Sequence, residues 1–207
     1  MKAGENPFRT SRVHGLPFLW PEGEGWDTLT GRWEAAGFRG ALTGPHGNGK
    51  STLLGAWVLR LREGGWEPRV WRLTEEFPRL PADFARQCRD WPVKGVAVLD
   101  GAEQMGLWDR WRWRWHTRGA AGMILTNHKT DMVPTVLRVG TTPAQLLVLL
   151  EMLLEGTGVA LPQKKPEDLL HMHGGDVREV FRWLYDAVAC GELSSGATSP
   201  DTREGLH

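Results

Sequence analysis

Between a short apolar run and a helical pattern lies Gly44-Pro45-His46-Gly47-Asn48-Gly49-Lys50-Ser51-Thr52, and no other stretch restricts the fold as tightly. Its first eight residues satisfy G-x-x-x-x-G-K-[ST]. Glycines let successive backbone N–H groups turn inward around an anion where a side chain would collide, and a helix N-terminus adds its positive end. Such a loop needs a strand to deliver it and a helix to receive it. Both are readable: Gly40 to Thr43 is a buried-strand pattern, and Ser51 to Arg62 sets Leu54, Val58 and Leu61 on one helical face. The expectation is that residues Gly44 to Thr52 wrap a nucleoside triphosphate. Lys50 would neutralise the β and γ phosphates and the Ser51 hydroxyl would ligate Mg2+. His46 and Asn48 would line the loop without chemistry, and Thr52 would pack or hydrogen-bond locally.

Further apolar runs read as strands at Arg69 to Leu73, Val96 to Leu99, Met123 to Thr126 and Thr135 to Val139. Helical patterns separate most of them: Ala82 to Trp91 and Gln104 to Arg118, after the one that opens at Ser51. This alternation predicts a doubly wound α/β fold with a parallel five-stranded sheet. Residues 1–38 read as irregular with one weak helical piece at Trp26 to Ala36, and 39–141 as the sheet core. From Thr142 the pattern turns helical, with Thr142 as cap and Pro143 at the first helical position. A final helix, capped by Asp176 with Glu179, carries the stripe Val177, Val180, Phe181, Leu184 and Val188. Residues 142–193 are thus expected to form a small C-terminal helical lid, and 194–207 a disordered tail.

A carboxylate ends the most apolar of these strands. In VAVLDG, Asp100 would stand at the C-terminal edge of a parallel sheet, where ligands bind, and would hold the magnesium's water shell. Ser51 and Asp100 are therefore the expected metal residues.

The order of these pieces resembles the additional-strand class of P-loop ATPases, specifically AAA+ and related ATPases of the origin-recognition, clamp-loader and transposition-helper type. The resemblance covers roughly residues 39–190 and implies a P-loop NTPase fold with ATP and Mg2+. It makes Lys50 and Asp100 the core of the site, and Asn127 or Thr126, ending the strand after Asp100, a polar sensor of the nucleotide. Arg178, in HGGDVREVFRWLYD, matches the arginine of the family's lid helix. Two departures stand out. Where many of these ATPases carry a glutamate after the Asp, this chain has Gly101, and Glu103 is the nearest substitute base. Only Lys129 to Pro134 separates the last two strands, where AAA+ ring proteins usually place a helix ending in a trans-acting arginine, so a standard ring finger is not expected. Arg138 is expected to be a surface or salt-bridging residue, the alternative being an arginine aimed at a neighbouring nucleotide.

One helix invites a different partner. In LWDRWRWRWHTR, arginines can track phosphate while indole faces stack on bases, and Arg110, Arg114 and Arg118 are the expected contacts to a nucleic acid. Helical spacing suggests instead that Trp108, Trp111 and Trp115 cover the sheet, with those arginines solvated and Trp113 left over. The chain as a whole offers no field, because 25 basic side chains balance 25 acidic ones. His171 and His173 lie two apart and do not face one way, so they are not expected to bind a metal.

Two cysteines without CxxC spacing imply neither a disulfide framework nor a zinc site, and a reducing cytoplasm fits. The longest apolar run, around Leu146 to Leu154, is short of a bilayer span, so no membrane partner is expected. The reading that results is an ATP-binding, ATP-hydrolysing switch acting on a protein or nucleic-acid partner. A non-hydrolysing ATP-binding adaptor and a small-molecule kinase remain open alternatives. Trp33 or another N-terminal aromatic is expected to stack on the base.

Overall fold

The computed structural model describes residues 5–128 and 132–193; the 194–207 tail and Lys129 to Asp131 lie outside them. Five strands form one sheet: β1 (Arg39–Thr43), β2 (Glu67–Arg72), β3 (Gly95–Asp100), β4 (Gly122–Asn127) and β5 (Thr135–Arg138). Their order is β2-β3-β4-β1-β5, and every pairing is parallel. β3 and β4 are buried at every position, which is why they read as continuous apolar runs rather than as alternation.

Alternate strand residues serve two separate cores. On one face Leu42, Val96, Val98 and Ile124 meet α2 (Trp26–Ala35) and α3 (Lys50–Glu63) through Trp33, Leu53 and Trp57. On the other, Ala41, Ala97, Leu99 and Leu125 meet α4 (Phe84–Gln87) and α5 (Leu107–His116) through Phe84 and Trp113. Trp33 is 1% exposed and donates its indole N–H to the Met123 carbonyl at 3.1 Å. It is a core residue and has no face to offer a base, contrary to expectation.

Two helices on the second face are shorter than their patterns predict. α4 is one turn, because the Arg69 guanidinium takes the carbonyls of Gln87, Arg89 and Asp90 that a longer helix would use internally. Cys88, just beyond it, is a free thiol pushed up to about 11 by burial. α5 begins only at Leu107, after a separate 3-10 turn at Ala102–Gln104, since Gly106 is extended.

The orientation of α5 is the reverse of the expected one. Trp113 is fully buried, whereas Trp108, Trp111 and Trp115 are 69%, 52% and 50% exposed. The inward stripe is Asp109, Arg112, Trp113, His116 and Thr117, at i, i+3, i+4, i+7 and i+8. Asp109 and Arg112 pair at 2.8 Å while Arg112 also donates to the Pro81 carbonyl. An ion pair in the buried stripe defeats a reading that counts apolar side chains. The paired groups give each other what water would have supplied.

The chain forms two compact units, one of which is the sheet unit, Pro17–Thr141. The other joins residues 5–16 to the segment from Thr142 onward. It contains α1 (Thr10–Val13), α6 (Pro143–Leu154), α7 (Pro166–Met172) and α8 (Val177–Ala189). Thr142 and Gln145 form a reciprocal capping box at α6, and the Asp176 carboxylate accepts from the N–H groups of Arg178 and Glu179 at α8. The predicted stripe of α8 is buried throughout, and Phe8 packs on Phe181 with ring centroids 6.3 Å apart. The Asn6 side chain donates to the Tyr185 carbonyl at 2.9 Å. Among the described residues no helix is long and apolar enough to cross a membrane.

Candidate functional site

Parallel strands deliver their C-terminal ends to one edge of the sheet, and the polar residues collect there. Register pairs Thr43 with Asn127 and Arg72 with Asp100. The loop after β1 starts at Gly44, whose φ is 151° and whose N–H donates to the Asn127 carbonyl at 3.3 Å. A Cβ at this position would lie 1.9 Å from the Val139 carbonyl oxygen. Only glycine allows the chain to leave β1 so close to the segment that follows β5.

Lys50, the first residue of α3, is 8% exposed, and its amine donates to the carbonyls of Gly44 at 2.7 Å and Pro45 at 2.5 Å. The ammonium is therefore held inside the loop by the loop's own backbone oxygens. One residue later, the Ser51 hydroxyl donates to Asp100 Oδ1 at 2.9 Å. The motif's serine and the strand-ending aspartate, 49 positions apart, meet directly.

Asp100 is 6% exposed and fully engaged. Thr126 also donates to Oδ1, at 2.8 Å, and accepts from the Gly101 N–H at 2.8 Å, while Arg72 holds Oδ2 at 3.0 Å. A serine hydroxyl beside a carboxylate is an oxygen donor set, which suits a hard cation such as Mg2+. The residues present fit that ion.

Position 101 explains the absent glutamate. Gly101 has φ 87°, and a Cβ there would stand 2.4 Å from the Leu73 carbonyl oxygen. Any side chain would both strain the backbone and strike β2's continuation. The nearest carboxylate is consequently displaced onto the 3-10 turn, where Glu103 Oε1 lies 3.4 Å from His128 Nε2. The His128 ring meets the His46 ring edge-on with centroids 3.7 Å apart. Burial holds the His128 imidazole below its usual 6.5, Glu103 partly opposing the effect and His46 and Lys50 adding to it. His46, Glu103 and His128 each offer a ligand atom within 4.8 Å of the others, and Glu103 Oε2 is buried without a hydrogen-bond partner. A water molecule or a ligand hydroxyl donating to Glu103 Oε2 would complete that group.

The structure thus brings Gly44, Pro45, Lys50, Ser51, Asp100 and Asn127 to one edge, with His46 and Glu103 in the adjoining cluster. Asn48 is buried and donates to the His46 carbonyl at 2.7 Å, while Ser51 and Thr52 lie at the exposed side of α3. Asn127 is 4% exposed and accepts from the His128 N–H at 2.8 Å. Arg138 ends β5 with an exposed side chain. Arg178 belongs to the other unit; it stands in the first turn of α8 with an exposed side chain. Sequence reasoning misses Arg72 and His128. Arg72 has a faint signal, an arginine at the last position of a strand, but the histidine pair exists only once β1 and β4 are neighbours.

No protein-family model and no curated protein sequence matches the chain. Among solved structures it is similar to a replication initiator DnaA bound to AMPPCP and single-stranded DNA, with a TM-score of 0.55 and 12% identity. The match covers 86% of this chain and 65% of that one, so the chain spans less than two thirds of the DnaA structure's length. Sequence identity this low speaks to architecture alone, and the architecture is an α/β fold of P-loop NTPase type built on a five-stranded, all-parallel sheet.

Proposed function

We propose that the chain is a Mg2+-dependent ATPase switch of the additional-strand class, resembling AAA+ ATPases, that acts on a protein or nucleic-acid partner. The observation that carries this reading is the 2.9 Å contact between Ser51 and Asp100 beside the enclosed Lys50 amine. The position of β4, inserted between the strand of the loop and the strand of Asp100, supports the class. The similar DnaA structure, bound to an ATP analogue and single-stranded DNA, supports the ligand and one kind of partner.

In this reading the Gly44 to Thr52 backbone wraps the triphosphate and the Lys50 ammonium leaves its carbonyls for the β and γ oxygens. Ser51 and Asp100 would hold Mg2+, which when bound supplies charge neutralisation to the triphosphate. Glu103, oriented by neutral His128, accepts a proton from the water that attacks the γ-phosphorus; the bond to the β-γ bridging oxygen breaks, giving ADP and phosphate. Asn127 orients the water or the γ-phosphate, and Arg178 keeps the sensor role that the family resemblance implies. The expected contacts to a nucleic acid are Arg110, Arg114 and Arg118.

A second reading has its own observation: Asp100 is already paired with Arg72 and position 101 excludes a glutamate, an arrangement suited to an adaptor that binds ATP without turnover. Fluorescent-nucleotide binding and phosphate release, measured together, separate the two. For the switch, Lys50→Ala abolishes binding, and Glu103→Gln retains it while lowering turnover by about 100-fold or more. Tight binding with no release in the native protein supports the adaptor, and release of ADP only with an added metabolite supports a kinase. Unchanged ATP binding by Lys50→Ala would falsify the site itself.

A further inference from the structure

Of the chain's twelve tryptophans, nine are buried or half-buried, and the three exposed ones are consecutive on the outer side of α5. Trp108 and Trp111 stack with centroids 5.1 Å apart and planes at 20°, and Trp111 and Trp115 at 5.9 Å and 13°. The rings form a ladder of near-parallel plates along the helix. The Arg118 guanidinium lies over the Trp115 ring at 4.1 Å and extends the ladder by one more flat group. Trp111, Arg114, Trp115 and Arg118 line an open recess of about 230 Å³.

Three large indoles in water are costly unless something covers them. The charge on this helix says what kind of partner does so. Its only carboxylate, Asp109, is turned inward and neutralised by Arg112, so the outer side presents indoles interleaved with the exposed cations Arg114 and Arg118. Exposed indoles flanked by guanidinium groups match unpaired bases on a phosphate backbone: rings that rotate apart exchange stacking on one another for stacking on any base face, and the cations accept the phosphates. A duplex keeps its base faces stacked internally and could use only the charges.

We infer that the Trp108, Trp111 and Trp115 ladder, with Arg114 and Arg118, is a binding surface for a single strand of nucleic acid, in which bases stack on the indoles. This rests on the reading of a switch with a nucleic-acid partner and assigns that partner to a specific face. The strand would be gripped with little sequence preference, because every base has a face that an indole can stack on.

The test is fluorescence anisotropy of a labelled oligo(dT) with the full chain at low and physiological salt, competed by unlabelled duplex of equal length. Trp111→Ala/Trp115→Ala is expected to weaken oligo(dT) binding by at least about tenfold. Arg114→Ala/Arg118→Ala is expected to lower the salt slope by roughly 0.7 for each phosphate that no longer has an arginine beside it. Both double variants alter exposed side chains and should bind fluorescent ATP as the native chain does. Loss of oligonucleotide binding with ATP binding intact supports the ladder. Oligonucleotide binding that depends on the ladder in a chain that binds no ATP would remove the switch and leave this surface standing. The proposal is overturned if oligo(dT) does not bind at low salt or if the tryptophan variant binds like the native chain. Preferential competition by duplex, or a chain dimer that dissociates when the ladder is truncated, would overturn it as well.

Discussion

At position 101 the backbone decides which residue can stand there. Under the proposed reading, a designer placing a glutamate at this position, as many AAA+ ATPases have it, would expect a better catalyst, yet φ 87° and the Leu73 carbonyl 2.4 Å from any Cβ predict a destabilised chain. Gly101→Glu, and Gly101→Ala nearly as much, should lower unfolding free energy by about 2 kcal/mol or more, which urea denaturation measures directly. His128 gives the matching prediction for acid. Its proton affinity is depressed in the folded chain, facing Glu103, His46 and Lys50, while the unfolded chain titrates near 6.5. The unfolded state therefore takes up the proton first, and the stability contributed above 6.5 is lost as pH falls toward the folded value. His128→Gln should flatten the fall in melting temperature between neutral and mildly acid buffer; an unaltered profile would remove the neutral imidazole from the account. That the glycine-rich loop, Lys50, Ser51 and Asp100 meet at one edge of the sheet was legible in the sequence because the signals are local: glycines at fixed spacing and a carboxylate ending an apolar strand. Arg72, His128 and the demand for glycine at 101 were not, since each arises from strands that are neighbours in space and distant in the chain.

Among the elements, α5 teaches most. Hydrophobic periodicity alone turns three tryptophans inward and leaves Trp113 over, and the helix is turned the other way because a buried Asp109 and Arg112 pair occupies the inner stripe. Trp113 stacks on Phe84 at 5.7 Å and meets Trp71 edge-on, although its indole N–H is buried without a partner. Trp113→Ala should cost about 3–5 kcal/mol, whereas Trp113→Phe keeps the stack, removes the orphaned donor and should cost under about 1.5 kcal/mol. Thermal denaturation of the two variants side by side checks it; equal losses would mean that the N–H has an unseen partner. β1, β3, β4 and α3 were legible because their buried residues are apolar except at the ends that meet at the sheet edge, where Thr43, Lys50, Asp100, Thr126 and Asn127 collect. α4 falls short of its pattern because Arg69, from β2, competes for its carbonyls, and periodicity within one segment contains no trace of that competitor.

At the scale of the molecule, the N-terminal segment matters more than its irregular sequence suggests. Asn6 is 2% exposed and Phe8 3%, and both are committed to α8. Phe8→Ala should destabilise the helical unit by about 3 kcal/mol, seen as faster amide exchange along α8 with the exchange of β3 and β4 unchanged. Uniform acceleration in both units would show instead that they unfold as one. The partners of that hydrogen bond stand 179 positions apart in the chain. A ribosome emits Asn6 first and Tyr185 long afterwards, with every strand of the sheet in between. The sheet unit can close while synthesis continues, but the helical unit must wait for the last helix, its early piece left exposed to proteases and chaperones in the meantime.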